Sequence, residues 1–408
     1  MPQTRSAYDD LPYEGTICRQ SHPDYLYRAV RLSGFAAPGF RAARVLELGC
    51  GAGLNTVSAA LALPQASFTG IDLSQNHIAR ALRYKETLNL NNATFRQENI
   101  LDFGKDGGPF DYIICHGVFS WVPGDVRRKI LEICRGNLSA GGLALISFNA
   151  LPGWNFNRSL REMLRYHVRG LAAPVEKTKE ARTFLAALAD NAAETAPGYG
   201  EFVRAEHEKL SRLPDGYFFH DLLAEENEPF YLHEFAALLE PYGLRYIADA
   251  DSAAPGATLE EEQYRDYASN RRFRMAILGP AGSAAAPGPA EILPLPVENF
   301  TPHVSGKPLA FALARLQAAD DIDARALAGA ARQMIKSDRF MNHLVLCTDG
   351  TNDMAQICAL MTERGLKGNF TLKTPGGPIS ESRALGEAIC ELVPQALAEM
   401  AKAGLLAG

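Results

Sequence analysis

Three glycines in the stretch ELGCGAG, residues 47–53, have the spacing of a ligand-binding turn. Gly49, Gly51 and Gly53 follow an apolar run and precede a helical pattern, so the backbone can turn tightly there and approach a ligand. The dinucleotide fingerprint G-x-G-x-x-G would need glycine where Leu54 stands, and no Gly-Lys-Ser/Thr follows as in a P-loop. The motif therefore argues against a nicotinamide or flavin cofactor and excludes a P-loop. Taken alone, the motif is also compatible with a glycine-rich turn that binds no ligand.

Two later strand ends carry polar residues that suit a nucleoside. Asp72 follows Gly53 by nineteen residues, where a carboxylate can accept hydrogen bonds from both ribose hydroxyls. An exposed acid or a helix cap is the alternative, but Ser74 can already cap the next helix. Asn99 could accept from an adenine amine, and the backbone of Ile100 could donate to the ring. Together the three strand ends predict a nucleotide-like ligand at the carboxyl edge of a parallel sheet.

Alternating strand and helix patterns position these residues. The predicted strands are RVLELG, SFTGID, ATFRQENI, FDYIICHG and LALISF. The helical patterns between them are LNTVSAALAL, QNHIARALRYKETLNL and DVRRKILEICRGNL. Such alternation predicts an α/β fold with a doubly wound, Rossmann-like sheet and right-handed crossovers. Residues 170–225 have no strand signal and predict a helical insertion, after which LRYIADA and RRFRMAIL, separated by a polar loop, complete seven strands.

The chain divides into five predicted parts. They are an N-terminal arm (1–30), a core (31–150), a helical insertion with the last two strands (151–280), a linker (281–294) and a small, mostly helical domain (295–408). The linker is recognised by its alanine, glycine and proline content.

Composition excludes several classes of protein. The net charge of −6 gives no overall basic footprint for nucleic acid. No apolar run approaches the ~20 residues that span a bilayer, and the start MPQTRSAYDD lacks the apolar core of a signal peptide. Seven cysteines without a C-x-x-C pair favour reduced thiols over a zinc finger. The expectation is a cytoplasmic protein without membrane insertion.

The set ELGCGAG, Asp72 and ENI resembles the class I S-adenosylmethionine-dependent methyltransferases, over roughly residues 40–150 and the final strands. The resemblance implies that Glu47 organises the loop and that the three glycines border the methionine part of the cofactor. It also implies that Asp72 holds the ribose and that Asn99 and Ile100 contact adenine. The further cofactor-binding residues that it implies are Cys50, Asn55, Leu73, His116 and Gly117.

The stretch HGVFSWVP lies where a methyl donor and its acceptor would meet. Many amino methylases of this class carry Asn/Asp-Pro-Pro-Tyr/Phe there, whereas this chain has His116-Gly117-Val118-Phe119, which argues against DNA-amine and glutamine methylases. Phe119 and Trp121 are predicted to wall an apolar channel for a lysine stem, because aromatic faces attract a charged or methylated amine. Simple burial in the core is the alternative for each ring.

Four stretches together resemble a narrower subgroup. They are LPYEGTICRQSHPDYL (11–26), HGVFSWVP, SFNALPGW (147–154) and QYRDYASNRRFR (263–274). The subgroup has a regulatory region after its catalytic core, and its best-known members are the rickettsial protein lysine methyltransferases. It often has tyrosine where this chain has Phe119 and Phe148. LCTDGTNDMAQI (346–357) is similar to the subgroup's small winged-helix-like tail.

Four further side chains complete the candidates. The resemblance to this subgroup implies that Tyr13, Gln20 and His22 fold over the cofactor as a lid, a flexible terminus being the alternative. Trp154 is a candidate wall of the acceptor pocket or a buried structural residue.

The stretch 219–235 contains His220 and Asp221, either of which is a candidate polar group facing the acceptor. The stretch lacks the H-x-x-x-H and H-E-x-x-H spacings, so it is interpreted as a solvated acidic helix rather than a metal site.

The sequence thus predicts an S-adenosylmethionine-dependent methyltransferase that needs no metal and acts on an amine, most directly a protein lysine. Two alternatives stay open: a small-molecule methyltransferase, and a regulatory protein that binds the cofactor without turnover. The expected partner is a protein or small-molecule methyl acceptor, with no nucleic acid, and homodimer formation is left open.

Overall fold

The computed structural model describes most of the first 283 residues and part of the remainder. Described are residues 11, 15, 17–104, 107–195, 197–250, 257–283, 303–304, 344, 347, 353–367, 372–374, 377–379, 381–402 and 406–407.

A seven-stranded mixed sheet forms the centre of the protein. Its strands are β1 (Arg44–Leu48), β2 (Ser67–Asp72), β3 (Ala93–Gln97), β4 (Phe110–Cys115), β5 (Leu138–Asn149), β6 (Leu244–Asp249) and β7 (Phe273–Pro280). The spatial order is β3-β2-β1-β4-β5-β7-β6, with β1 to β5 parallel and β7 antiparallel to both neighbours. The predicted Rossmann-like fold is therefore confirmed.

Helices cover both faces of this sheet. The helices are α1 (Pro23–Leu32), α2 (Leu54–Ala62), α3 (Gln75–Thr87), α4 (Gly124–Asn137), α5 (Trp154–His167), α6 (Pro174–Thr195), α7 (Pro197–Ser211), α8 (Asp215–Leu222), α9 (Leu232–Leu239) and α10 (Leu259–Ser269). Short 3-10 helices lie at Arg19–Ser21, Ile100–Asp102, Phe119–Trp121 and Glu240–Tyr242. Apolar residues of α1, α2 and α3 pack on one face of the sheet, and those of α4 and α9 pack on the other.

The strand order reverses between β1 and β4. In an open parallel sheet, ligands bind in the crevice beyond the carboxyl ends of the strands at such a switch point. This crevice is where the sequence placed its candidate residues. The helical insertion, α5 to α8, has an apolar core of its own, against which Leu11 of the arm packs.

Two helices were missed by the sequence interpretation. The segment taken as a polar loop before β7 contains α10, which begins at a capping box formed by Thr258 and Glu261. The N-terminal arm contains α1, with Pro23 in its first turn and His22 as its cap. Both starts carry ordinary helix-initiation signals.

The C-terminal part has a small core between α11 (Met354–Leu366) and α12 (Ser382–Lys402). Short antiparallel strands accompany them: β8 (His303–Val304) pairs with β11 (Leu406–Ala407), and β9 (Lys373–Thr374) pairs with β10 (Gly377–Pro378). In the part of the chain that is described, no helix is both long and apolar enough to cross a bilayer.

Candidate active site

The glycine loop between β1 and α2 is closely packed at both ends. Gly49 and Gly53 adopt left-handed backbone angles, with φ of 68° and 75°. A Cβ atom at Gly49 would lie 2.6 Å from Cγ2 of Val118, and one at Gly53 would lie 2.7 Å from Cε1 of Phe95. Both positions therefore require glycine, because a side chain would be strained and would also collide with its neighbour. At Gly51, by contrast, no heavy atom lies within 4 Å of the Cβ position.

Asp72 connects the end of β2 to this loop. Its Oδ2 accepts a hydrogen bond of 2.9 Å from the amide of Gly51, and its Oδ1 accepts one of 2.9 Å from the amide of Ser74. Nδ1 of His77 lies 3.3 Å from Oδ1. Ser74 caps α3 through the amide of His77, as the sequence predicted. A carboxylate has about four lone-pair sites, so Asp72 retains capacity for further donors.

The ends of β2 and β3 complete this side of the crevice. Asn99 caps the 3-10 helix Ile100–Asp102, its Oδ1 accepting from the amide of Leu101 at 3.0 Å. Leu73 is 62 % exposed directly after the carboxylate. An exposed apolar side chain beside a carboxylate and an amide suits a ligand with a flat base and a ribose.

Glu47 is a buried acid at the end of β1. Its carboxylate accepts from Nδ2 of Asn55 at 3.0 Å and from the hydroxyl of Thr56. Burial raises the pKa of Glu47 to about 7, although the hydrogen bonds from Thr56 and Asn55 oppose the shift. Oδ1 of Asn55 accepts from the amide of Cys18 at 2.7 Å. Glu47 therefore fixes the first turn of α2 and, through it, the N-terminal arm.

Comparisons with known proteins agree with this geometry. Three family models match separate parts of the chain: a methyltransferase domain (residues 46–144), a predicted methyltransferase regulatory domain (214–256) and a PKMT C-terminal winged helix domain (306–405). The chain belongs to the S-adenosylmethionine-dependent methyltransferases. The predicted family, methyltransferase activity and cofactor are thereby confirmed, whereas the predicted amine acceptor stays a prediction. The C-terminal domain of this methyltransferase is of the winged-helix type.

Two uncharacterized proteins of Rickettsia prowazekii (strain Madrid E) are similar to the methyltransferase. One is 38% identical over 287 residues, which are 66% of this chain and 52% of that protein. The chain thus spans about half the length of that relative. The other is 34% identical over 229 residues, which are 56% of this chain and 92% of that protein. PKMT2 from Rickettsia typhi, solved in complex with AdoHcy, shares the fold over 97% of this chain and 100% of its own, with a TM-score of 0.60 and 21% identity.

The residues present fit S-adenosylmethionine. The space beside Gly51 is free of atoms from the described part of the chain, whereas Gly49 and Gly53 are closely packed. This space leaves room for the methionine part of the cofactor next to the backbone. Asp72 has lone pairs left for ribose hydroxyls, and Asn99 and Ile100 follow the neighbouring strand. The individual contacts of these residues, and of Cys50, stay predictions.

The loop after β4 joins the glycine loop to the end of β5. Val118 packs on Gly49, and the amide of Gly117 donates to Oγ of Ser147 at 2.7 Å. Oγ of Ser120 accepts from the amide of Asn149 at 2.9 Å. The loop HGVFSWVP is therefore held between the cofactor side of the crevice and the last parallel strand.

Phe119 lies in the core and not at the mouth of the sheet. Its ring is fully buried, with ring centroids at 5.5 Å from Phe235 and 5.7 Å from Phe230. Phe148 stacks on Phe235 at 4.2 Å in the same cluster. The 3-10 turn directs Phe119 towards α9, so its placement favours the packing alternative and not the predicted channel wall.

The two tryptophans predicted near the acceptor do meet. Trp121 and Trp154 contact edge to face, with centroids 5.8 Å apart. Nε1 of Trp154 donates to Oδ1 of Asn227 at 2.7 Å, and the guanidinium of Arg161 lies 5.3 Å from the ring of Trp121. Trp154 is 7 % exposed and Trp121 is half-buried, so their role at an acceptor stays a prediction.

The stretch 219–235 is not the solvated acidic helix that was predicted. It consists of the end of α8, a connecting segment and the start of α9, and Phe219, Leu222 and Phe235 are buried. The amide of Glu228 donates to the carbonyl of Ser120, so the connecting segment lines the end of the sheet. No three His, Cys, Asp or Glu side chains are grouped as metal ligands in the described part of the chain.

His220 lies under the N-terminal arm. Its ring is 5 % exposed, and Nε2 lies 2.8 Å from the carbonyl oxygen of Leu11. Burial lowers the pKa of His220 and raises that of Asp221 to about 6. The contact joins the arm to the insertion, while a role of either side chain towards the acceptor stays a prediction.

The arm contacts the core beside the glycine loop, and the lid role expected of Tyr13, Gln20 and His22 stays a prediction. Tyr13 lies outside the described residues. Gln20 accepts from the thiol of Cys18 at 3.6 Å, and His22 caps α1 and pairs with the buried Asp24. Cys18 itself makes the contacts to the core, through Asn55 and through Sδ of Met275 at 3.7 Å.

Sequence reasoning missed one polar group beside the crevice, Asn149. The side chain of Asn149 is 2 % exposed at the end of β5, and the ring of His116, expected on the cofactor side, contacts Phe273 edge to face. The sequence did contain an indication of Asn149. In LISFN (145–149) successive side chains point to opposite faces of the strand, so Ser147 and Asn149 are polar residues on one face of an otherwise apolar strand.

Proposed function

We propose that this methyltransferase transfers methyl groups to lysine side chains of a protein acceptor. The observation that carries the proposal is the joint presence of the methyltransferase domain, the regulatory domain and the PKMT C-terminal winged helix domain in one chain. The whole-chain likeness in fold to PKMT2 from Rickettsia typhi supports it.

The reaction requires the protein to present the acceptor as a neutral amine. S-adenosylmethionine supplies an electrophilic methyl group when bound, so the chain must present a neutral amine in line with it. The reference pKa of lysine is ~10.4, and neutralising it at pH 7 costs about 4–5 kcal/mol. A site that withholds water lowers that pKa, because burial disfavours the charged form. Positioning and the exclusion of water are the main contributions required of the protein.

The residues beyond β4 and β5 meet this demand. Trp121 and Trp154 present aromatic surface next to the loop that carries Gly117, and the segment around Glu228 closes the end of the sheet. The arm contacts the neighbouring strand β7 through Cys18 and Met275. An acceptor side chain entering here would lose water on several sides while its stem contacts apolar groups.

The test follows a labelled methyl group. Wild-type protein and S-adenosylmethionine labelled in the methyl group are added to a size-fractionated lysate of the source organism, preferably from cells lacking this protein. Labelled macromolecules are treated with alkali, which removes methyl esters, and the remaining label is mapped by mass spectrometry. An Asp72→Ala variant serves as the cofactor-binding control.

Label on protein lysine, absent with the control variant, supports the proposal. Label confined to small molecules contradicts a protein acceptor and indicates biosynthesis or detoxification. Tight cofactor binding without any label in either fraction contradicts turnover and favours a regulatory protein.

A further inference from the structure

His116, Asn149 and Phe273 lie on one face of the sheet at its carboxyl edge. Ile114 packs in the core beneath α1, α2 and α3, and His116 stands two residues further on the same side. Asn149 and Phe273 are direct partners across β5 and β7 and so share that face. The rings of His116 and Phe273 are in contact, with centroids 5.9 Å apart at 89°.

Two polar atoms of this group are buried without a partner. Nδ1 of His116 and Nδ2 of Asn149 are inaccessible to solvent and form no hydrogen bond with any of the described residues. Buried polar atoms are nearly always paired, so an unpaired one needs a reason. The structural hydrogen bonds of Asn149 come from its backbone, whose amide donates to Ser120 and whose carbonyl accepts from Phe230. Its side chain is therefore not required to hold the loop.

The position of the group relates it to methyl transfer. The loop that carries His116 packs on the glycine loop through Val118 and Gly49. It is tied to β5 at Ser147, whose cross-strand partner Met275 lies beneath Cys18 of the arm. The face is thus bounded by the cofactor loop on one side and covered by the arm from above.

We propose that the side chains of His116 and Asn149 bind the acceptor amine. The backbone of His116 and Gly117 can still border the cofactor, as the sequence predicted, while the imidazole faces the acceptor. The proposal deepens the proposed function and rests on it.

The imidazole of His116 is better suited to accept a hydrogen bond from the amine than to act as a base. Burial lowers the pKa of His116 to about 4, so its imidazole is neutral near pH 7 and does not repel an ammonium or a sulfonium. Nδ1 accepts one N–H of the amine, and the side-chain amide of Asn149, turned so that its oxygen faces the amine, accepts a second N–H from the adjacent strand. So weak a base does not keep the proton, which the ammonium loses to water. The amine lone pair then forms the N–C bond as the C–S bond breaks, and the positive charge passes from sulfur to the methylated nitrogen.

Matched substitutions at His116 test the assignment. His116→Phe keeps the ring shape against Phe273 and removes both nitrogens, whereas His116→Asn restores a polar atom close to the position of Nδ1. Loss of a hydrogen bond to a charged group corresponds to a decrease in rate or affinity of about 10- to 150-fold. We expect turnover on the labelled protein acceptor to fall by about this factor in His116→Phe and in Asn149→Leu, and to recover by about tenfold or more in His116→Asn. Affinity for S-adenosylhomocysteine should change less than about threefold in all three. His167→Phe, on the outer helix α5, is the control with unchanged turnover.

A second readout does not depend on activity. Nitrogen-15 NMR of the imidazoles is recorded for the protein with S-adenosylhomocysteine, before and after addition of butylamine as the lysine probe. The His116 resonance, identified by its loss in His116→Phe, should move in wild type and much less in Asn149→Leu.

The outcomes separate the two proposals. Equal turnover of wild type and His116→Phe on protein lysine, with an unmoved resonance, overturns the inference and leaves the proposed function intact. Label only on small molecules overturns the proposed function, and NMR then decides the inference alone: a butylamine-dependent shift supports the amine site, and an unmoved resonance overturns it.

Discussion

The amide of Gly51 donates a 2.9 Å hydrogen bond to Oδ2 of Asp72, so the carboxylate that ends β2 also fixes the glycine loop that follows β1. The other oxygen of Asp72 holds the amide of Ser74 at the start of α3. One side chain therefore sets the relative positions of two adjacent strand ends before any ligand binds. Such preorganisation reduces the ordering that binding would otherwise require.

Removing this carboxylate should weaken cofactor binding. Asp72→Ala loses the acceptors predicted for the ribose and also frees the Gly51 loop. Hydrogen bonds to a charged group contribute about 1.5–3 kcal/mol, so we expect affinity for S-adenosylhomocysteine to fall by roughly 10- to 150-fold in calorimetry. Glu162→Ala, an exposed pair partner of Arg158 on α5, is the control. Unchanged affinity in Asp72→Ala would remove Asp72 from the ribose site.

The buried acid Glu47 should make stability depend on pH. Its pKa rises from an ordinary value of 4.5 to about 7 in the folded protein, chiefly through burial. The folded state thus holds the proton more tightly than the unfolded state, so this contribution is fully present below about pH 4.5 and is lost as pH rises to about 7. The expected loss is roughly 2–4 kcal/mol across that window.

Urea unfolding of wild type and Glu47→Gln at several pH values isolates this effect. Glutamine keeps a neutral side chain of the same size, so the difference between the two proteins should fall from pH 4.5 to 7 and then level off. The contributions of the other titrating groups are the same in both proteins and cancel in the difference between their free energies of unfolding. A difference that is constant over this range would mean that Glu47 is ionised throughout.

Arg274 should be essential for the last two strands. Its fully buried guanidinium donates to Asp266 at 2.7 Å, to Asp249 at 2.9 Å and to Glu262 at 3.0 Å. Arg274→Met leaves these carboxylates without their central partner, and breaking a buried ion pair costs about 3–5 kcal/mol. Urea denaturation should show this loss, whereas Arg265→Met, whose half-exposed arginine also contacts Glu262, should cost less than about 1 kcal/mol.

The same cluster explains why α10 was invisible in the sequence. A helix is normally recognised by an apolar stripe, yet the buried positions of α10 are Glu262, Gln263 and Asp266. From the sequence alone, these polar residues are typical of a loop. The burial of Glu262 and Asp266 is explained only by Arg274, which lies eight residues after Asp266 on the next strand and pairs with both. The strands of the parallel sheet were found because their buried sides are apolar and their ends carry glycine or acid residues, so β2 was placed at its observed bounds.

Side-chain directions in the loop after β4 were harder to predict than the positions of the strand-end residues, for a local reason. The positions of Gly49, Gly51, Gly53 and Asp72 follow from strand ends, which the fold dictates. The direction of a side chain in the loop after β4 depends on a 3-10 turn of three residues, Phe119–Trp121, that no periodicity indicates. Strand alternation, extended one residue past β4, does indicate that His116 continues the face of Ile114.

Phe119 provides the sharpest contrast between the two interpretations of that loop. Its ring closes an aromatic cluster with Phe148, Phe230 and Phe235 and has no exposed surface. Phe119→Ala should therefore lower the free energy of unfolding by about 3–5 kcal/mol, while Phe119→Leu should cost less than about 2 kcal/mol because it keeps most of the apolar volume. Urea denaturation measures both, and calorimetry with S-adenosylhomocysteine should show similar affinity at 10 °C, where the alanine variant is still folded. A Phe119→Ala protein with the stability of wild type but turnover reduced about tenfold, a loss of about 1.4 kcal/mol in transition-state stabilisation, would instead place the ring in the acceptor channel, as the sequence alone had suggested.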